Sequence, residues 1–203
     1  MTDGYQDLPP TPSALFELKE ERRVVQEGYD FLDEKRLLLV GEILRQLARY
    51  EALLDDYRHD LAEARQALSD AIALHGLEGV QVRPAATLEH AEVATEHRPF
   101  LGVTLQDAEL QLGAEHEATT PLYASPEAAT VAERFRGLLA RATTLAAVSG
   151  NLHRLMADYR RTERRARALE DVLMPELDQA IAEMDSRLEE LQREEAIRVR
   201  LNV

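Results

Sequence analysis

Apolar side chains recur at alternating steps of three and four along two long stretches of the chain, the spacing that lines one side of an α-helix and makes the seam of a coiled coil. The first series is Leu15, Leu18, Arg22, Val25, Tyr29, Leu32, Arg36, Leu39 and Ile43. One step of four then shifts the phase, and the seam resumes as Leu47, Tyr50, Leu54, Tyr57, Leu61, Ala64, Leu68 and Ala71. The second series is Val131, Phe135, Leu138, Ala142, Leu145, Ser149, Leu152, Met156, Tyr159, Thr162, Ala166, Leu169 and Leu173. Past Pro175 it goes on as Leu177, Ile181, Met184, Leu188 and Leu191. These patterns predict a helix over 12–75 and another over 126–203, with a short tail over 1–11 and a middle segment over 76–125.

Start signals agree with these bounds. Thr11 can cap the first helix and Pro12 suits its first turn, where a missing N–H is harmless, and Ser125-Pro126-Glu127 repeats the signal for the second. The 64 residues from Pro12 to His75 would extend roughly 96 Å, and the 75 from Glu127 to Leu201 roughly 112 Å. Neither helix can hide its stripe alone. The simplest solution is that each buries the other's, antiparallel, and a parallel homodimer is the competing arrangement. The expected fold is all-α dominated, a long antiparallel two-helix coiled coil with a small β-hairpin and short helix inserted in the middle.

The middle segment breaks the pattern with Gly76, Gly79, Pro84, Pro99, Gly102, Gly113 and Pro121. Short, partly alternating runs at Gly79–Arg83, His90–Glu96 and Phe100–Leu105 predict a hairpin followed by a short amphipathic element.

Composition narrows the class. Leu, Ala, Glu, Lys and Arg make up 110 of 203 residues, about half, as in coiled coils and long helices. Trp is absent and aromatics are 5%, too few for an ordinary globular core of this length. A net charge of -14 disfavours nucleic acid and anionic lipid surfaces. Cys is zero, which excludes disulfides and thiolate chemistry. No run of 18 apolar residues occurs, and no signal-like opening, so a soluble, cytoplasmic chain held to membranes only through partners is expected.

Chemistry-bearing motifs are missing. There is no Gly-x4-Gly-Lys-Ser/Thr loop, no Gly-x-Gly-x-x-Gly and no Gly-x-Ser-x-Gly, and the six histidines show no His-x-x-x-His spacing. No catalytic residue, cofactor or metal is expected. The carboxylates Glu189, Glu190, Glu194 and Glu195 read as a solvated face. Arg160, Arg161, Arg164, Arg165 and Arg167 put five guanidiniums within eight residues of an acidic chain. Two readings stay open for them: pairing along the helix with Asp158, Glu163 and Glu170, or contact with an acidic partner surface, for which Arg is well suited. Of the 24 basic residues only Lys19 and Lys35 are Lys. Pro175, deep in a continuing stripe, removes a backbone hydrogen bond and is expected to bend the helix.

Pro10-Thr11, Leu15, Leu18-Lys19 and the run from Gly28 through Tyr29, Asp30, Phe31, Leu32, Asp33, Glu34 and Lys35 to Arg36 resemble the first-helix signature of the D subunit of vacuolar and archaeal-type rotary ATPases. Arg164-Arg165-Ala166-Arg167-Ala168-Leu169-Glu170, then Pro175, then Leu188-Glu189-Glu190-Leu191-Gln192-Arg193-Glu194-Glu195, resemble its carboxy-terminal helix. Two departures stand out: Gln106 after Gly102-Val103-Thr104-Leu105, where Pro is usual, and Arg167, where the family has Asn.

The resemblance implies a non-catalytic rotor. Its two-helix shaft would enter a ring of A and B subunits that handle ATP, be clasped by a small F subunit, and sit on the C/d-type subunit that docks on the membrane ring, coupling ATP hydrolysis or synthesis to proton or sodium movement. Candidate partner contacts are Lys19, Lys35, Arg36, Arg160, Arg161, Arg164, Arg165, Arg193 and Arg198, with Pro175 as the bend. Arg36, on the seam, is expected to reach a carboxylate of the opposite helix. The rival reading, which composition and heptads fit equally well, is a non-rotary coiled-coil scaffold or adaptor.

Overall fold

The computed structural model of this chain describes residues 9–81, 91–112 and 125–201. In chain order its elements are α1 (Pro12–Gln81), β1 (Ala91–Phe100), β2 (Val103–Leu112), α2 (Pro126–Ala168), a π-helical turn (Leu169–Leu173) and α3 (Met174–Leu201). Two compact units divide it. One combines α1 up to Leu39 with the chain from Tyr159 onward, and the other is Val40–Asp158.

The first unit is a helix pair. Numbers fall on one side as they rise on the other: Arg22 bonds Asp178 at 2.8 Å, and Gly28 faces Leu169. The pairing is therefore antiparallel and within one chain. Ala14, Leu18, Leu177 and Met184 form its buried centre, with Leu15, Val25, Leu173, Ala180, Ile181 and Leu188 packed around them. The seam positions expected here from Leu15 to Leu39 and from Tyr159 to Leu188 are buried or half-buried, but the last, Leu191, is 46% exposed, because α1 begins only at Pro12 and the register that sets Arg22 opposite Asp178 brings no helical turn beside it. Thr11 caps α1 as predicted, its hydroxyl accepting from the Ala14 N–H at 3.2 Å.

The π turn has a cause in the stripe itself. Leu169, Leu173, Leu177 and Ile181 are separated by three successive steps of four, and each step overshoots a full helical turn by about 40°. An unbroken α-helix would carry this stripe away from the facing helix. One widened turn absorbs about one extra residue, and the Met174 N–H reaches back to Leu169 O. Pro175, which has no N–H to offer, follows at once, as the second residue of α3.

In the second unit α1 pairs with α2, again antiparallel: Arg141 bonds Asp56 at 3.3 Å and also pairs with Asp60, and Arg134 pairs with Glu63. Seam residues Ala64, Ala71 and Leu138 are buried. The phase shift is resolved differently from expectation. Leu47 is 39% exposed, whereas Glu42 and Gln46 are 7% and 2% exposed and take the inner positions after Leu39. A step of three from Leu39 lands on Glu42, and four more on Gln46; the apolar residue next door is displaced because the inner position is occupied by a hydrogen-bonded polar pair.

α1 is interrupted at Gly76, whose φ of 71° is outside the helical range, and one more turn then carries it to Gln81. The extended run expected at Gly79–Arg83 is thus helical as far as Gln81. No strand lies beside it among the described residues, and alternation without a pairing partner does not make a strand. The expected short element after the hairpin falls outside the described residues, as do residues 1–8 of the tail.

The hairpin is present, shifted along the chain from the expected runs. β1 and β2 pair antiparallel from Ala91 opposite Leu112 to Phe100 opposite Val103. A two-residue turn, Leu101-Gly102, splits the run from Phe100 to Leu105 that alternation alone predicts as one strand. Both residues have positive φ, 49° and 88°, as a type I′ turn needs. Gly102 suits this; Leu101 does not, since its Cβ crowds the backbone in the left-handed region. Leu101→Asn is expected to stabilise the second unit by on the order of 1 kcal/mol, because Asn tolerates that region well. A denaturation midpoint unchanged or lowered in the variant would show that Leu101 is held there by contacts stronger than the strain.

Candidate functional site

Which side chains can meet a partner is decided by which ones the helices hide. Along the end of α2 the inner positions are Tyr159, Thr162 and Ala166, and Thr162 and Ala166 are 2% and 1% exposed. At about 100° per residue this leaves Arg160, Arg161, Arg164 and Arg165 on the far side, and all four are exposed. The pairing along the helix that could have neutralised them is mostly not made. Arg167 donates to Glu163 at 2.7 Å, while Glu170 lies against Tyr29, whose hydroxyl pKa is raised by partial burial and then by Glu170. The four outer guanidiniums have no carboxylate partner among the described residues. A few residues further on comes the π turn, so the arginine face and the irregularity at Pro175 adjoin.

The remaining candidates are scattered. Lys19 and Arg198 are exposed, without a salt bridge among the described residues; Arg193 is exposed and pairs with Glu189 at 2.8 Å. Lys35 is half-buried and partnered. Arg36 does not cross to the opposite helix as expected. It bonds Asp33, three residues back on its own helix, because a carboxylate one turn away is reached without extending the side chain. Arg22 is the seam arginine that crosses, to Asp178. Glu189, Glu190, Glu194 and Glu195 are exposed.

A polar cluster that the seam pattern does not reveal fixes the hairpin to the helices. Glu42 accepts from Arg45 through both carboxylate oxygens, from Gln46 Nε2 at 2.9 Å, and from Arg98 of β1 at 3.0 Å. Arg49 adds a bond to Asp107 of β2 at 2.7 Å. On the α2 side, Asn151 is 1% exposed and reads the backbone of Gln106 twice: Oδ1 accepts from its N–H at 2.7 Å and Nδ2 donates to its C=O at 2.8 Å. Thr144 donates to Ala108 O at 3.3 Å. The sequence holds a faint sign of this. Val148, Asn151 and Leu155 are spaced like a seam, one residue off Ser149, Leu152 and Met156, and a helix that carries two neighbouring stripes has two neighbours to pack against.

One constellation has the composition of a catalytic group. His75 Nε2 is 2.9 Å from Ser125 Oγ and 3.5 Å from Glu127 Oε2. Serine and carboxylate meet the same ring nitrogen, so the carboxylate cannot orient the imidazole from its other side, as a base in nucleophilic catalysis requires. Ser125 is also the cap of α2, accepting from the Ala128 N–H at 3.2 Å and donating to Glu127 at 2.9 Å. Glu127 is held below the usual carboxylate range first by its own backbone N–H and then by that hydroxyl. The group is a helix-start clasp. Among the described residues no three His, Cys, Asp or Glu gather as metal ligands would, and no helix is long and apolar enough to cross a membrane.

Comparison with known proteins gives one consistent result. The family model for the ATP synthase D subunit matches residues 14–201. A V-type ATP synthase D subunit from Thermotoga neapolitana is 27% identical over 95% of this chain and 95% of its own length. The A-type ATP synthase D subunits from Halobacterium salinarum and Methanoregula boonei are 27% and 28% identical over 96% and 97% of this chain, and 88% and 96% of theirs.

The buried carboxylate makes hairpin anchoring sensitive to acid. Hydrogen bonding by Arg45, opposed by burial and aided by Gln46 and Arg98, lowers the Glu42 pKa from 4.5 to about 2. The ionised form is favoured in the folded state, so its contribution is complete above pH 4.5 and is lost as pH falls toward 2, on the order of 3 kcal/mol in all. Guanidinium unfolding between pH 6 and pH 2.5 is expected to show this loss in the native chain and a flatter profile in Glu42→Gln. Equal slopes in the two proteins would contradict the assignment.

Proposed function

Because the chain belongs to the ATP synthase D subunit family, we propose that it is the central-stalk rotor of a V/A-type rotary ATPase, a non-catalytic part that couples ATP hydrolysis or synthesis in the A/B ring to proton or sodium movement. The observation that carries this reading is the junction of α2 and α3, where a bare arginine face, the π turn and Pro175 come together.

Chemically identical catalytic interfaces around a ring can hold different nucleotide states only if something without the ring's symmetry touches them unequally. A helix pair supplies such a body, since its two strands and their side chains differ around the axis. A contact shifts an interface between open and closed only by its differential affinity for the two. Arg160, Arg161, Arg164 and Arg165 suit that role because their own chain leaves them unneutralised: they can form bidentate pairs with ring carboxylates at some angular positions and release them at others. Lys19, Arg193 and Arg198, far toward the chain ends, would make similar contacts at another level, while Lys35 and Arg36 are less free to do so. The F subunit would clasp the helix pair and the C/d-type subunit would receive it, leaving the chain peripheral to the membrane on the cytoplasmic side. The small seam residues Ala64, Thr162 and Ala166 bury little area each, so partners would also stabilise the pair.

Pro175 provides the test. Pro175→Ala restores an N–H at the junction and allows a regular helix there. The variant complex is expected to assemble in normal yield and to pump fewer ions per ATP hydrolysed. Full pumping at an unchanged ratio would count against a coupling role for the junction, and failure of the native chain to co-purify with an ATP-hydrolysing ring would favour the static scaffold.

A further inference from the structure

The two edges of the hairpin are treated differently. Asn151 takes both the N–H and the C=O of Gln106, so these groups point away from β1, and Gln106 and its partner His97 form a pair without ladder hydrogen bonds. Ala108 O, two residues on, points the same way, to Thr144. The outer edge of β2 is thus covered by α2. By the same alternation the outward residues of β1 are Ala91, Val93, Thr95, His97 and Pro99. Val93, Thr95 and His97 are exposed, and their outward N–H and C=O groups have no hydrogen-bond partner among the described residues. Pro99 has no N–H to present, which ends the open stretch near the turn without disturbing the ladder.

We infer that this edge of β1 is a strand-addition site, occupied by an extended, basic segment of another protein that pairs with Val93 to His97. Exposed edges of this kind recruit strands, and natural hairpins usually blunt them with lysine or proline; β1 has no lysine, and its one proline, Pro99, lies beyond the open stretch from Val93 to His97. Charge selects the occupant. Glu92 and Glu96 lie on the other face of β1 from the outward residues, with Glu109 of β2 beside them, and none of the three has a salt bridge among the described residues. Residues of an added strand opposite Glu92 and Glu96 would sit in the close, non-hydrogen-bonded pairs, where side chains interact most strongly. Lys or Arg four residues apart in the incoming segment would neutralise both. A second copy of this chain would bring another Glu92 and Glu96 to the same face and is disfavoured. Strand addition requires only that the chain have a partner, so it stands or falls separately from rotation.

The test uses the full chain and a short strand-forming peptide of Thr and Val with Lys at two positions four residues apart, followed by residue-resolved amide hydrogen exchange. Without peptide, the amides of Val93, Thr95 and His97 are expected to exchange freely while those of Ala94 and Glu96, in the ladder, are slow. Saturating peptide is expected to slow the three outward amides at least about tenfold. Thr95→Pro, which removes an outward donor and no ladder bond, is expected to abolish the effect and keep Ala94 and Glu96 slow. Should that variant lose the ladder, Glu92→Lys with Glu96→Lys, which leaves the backbone alone, is expected to abolish the effect in its place. Unchanged exchange with peptide would overturn the inference, as would equal binding by a peptide with Glu for Lys, or outward amides already slow in the free chain by its own segments or by self-association.

Discussion

A long helix with an apolar stripe cannot stay in water with the stripe uncovered, and everything else in this chain follows from how that constraint is met. α1 and the helices after the hairpin cover each other, antiparallel, in both compact units. The seam mixes buried Leu18, Leu39, Leu177 and Met184 with small residues, Ala64, Ala71 and Ala166, and Arg22 bridges it to Asp178. Because the inner faces are used up in this mutual burial, the outer faces can carry charge at small cost, about a few tenths of a kcal/mol for each like-charged pair one turn apart, and the four bare guanidiniums of α2 stand there.

The hairpin is held in another way. Besides burying Val103 and Leu105, it is attached through polar groups: a shared carboxylate at Glu42, an amide at Asn151 that grips a strand backbone, and the Arg49–Asp107 pair. Such bonds are directional. They hold the strands in one register relative to the helices, where apolar contact alone would allow sliding. Removing a partner of the buried Glu42 or Asn151 leaves a buried polar group unsatisfied, so that part of the cluster is cooperative, whereas the exposed Arg49–Asp107 pair is not bound to it in this way.

Much of this is legible in the sequence, for identifiable reasons. Steps of three and four name most of the buried seam of the first unit and Ala64, Ala71 and Leu138 of the second, and the caps at Thr11 and Ser125 mark the helix starts, because both signals are local. On α2 the same steps name Phe135 and Met156, which are exposed, and pass over Val148, Asn151 and Leu155, which are buried, because the hairpin gives that helix a second neighbour. Places where a third element enters are not legible. Apolar patterning favours Leu47 over Gln46, since it assigns no inner place to a polar residue whose partner, Glu42, in turn serves a strand more than fifty residues away. The same patterning puts Arg36 on the seam and so sends it across, although a nearer carboxylate lies one turn back. The steps of four from Leu169 to Ile181 stand in the sequence, but by themselves they read as a continuing stripe with a bend at Pro175; only the position of the facing helix shows how far an unbroken stripe would drift and so why a π turn forms. Of the candidate contacts, the sequence locates the arginine cluster; its lack of neutralising partners requires the side-chain geometry.

The proposed role turns on whether this helix pair moves relative to a ring of catalytic subunits in an assembled complex. The chain has no cysteine of its own, so one placed at Arg164 and one on the facing ring subunit of an assembled complex can form a single defined disulfide. Rotation predicts that ATP hydrolysis stops when the disulfide forms and returns when it is reduced. Hydrolysis at full rate with the disulfide intact would mean that the pair is a fixed strut.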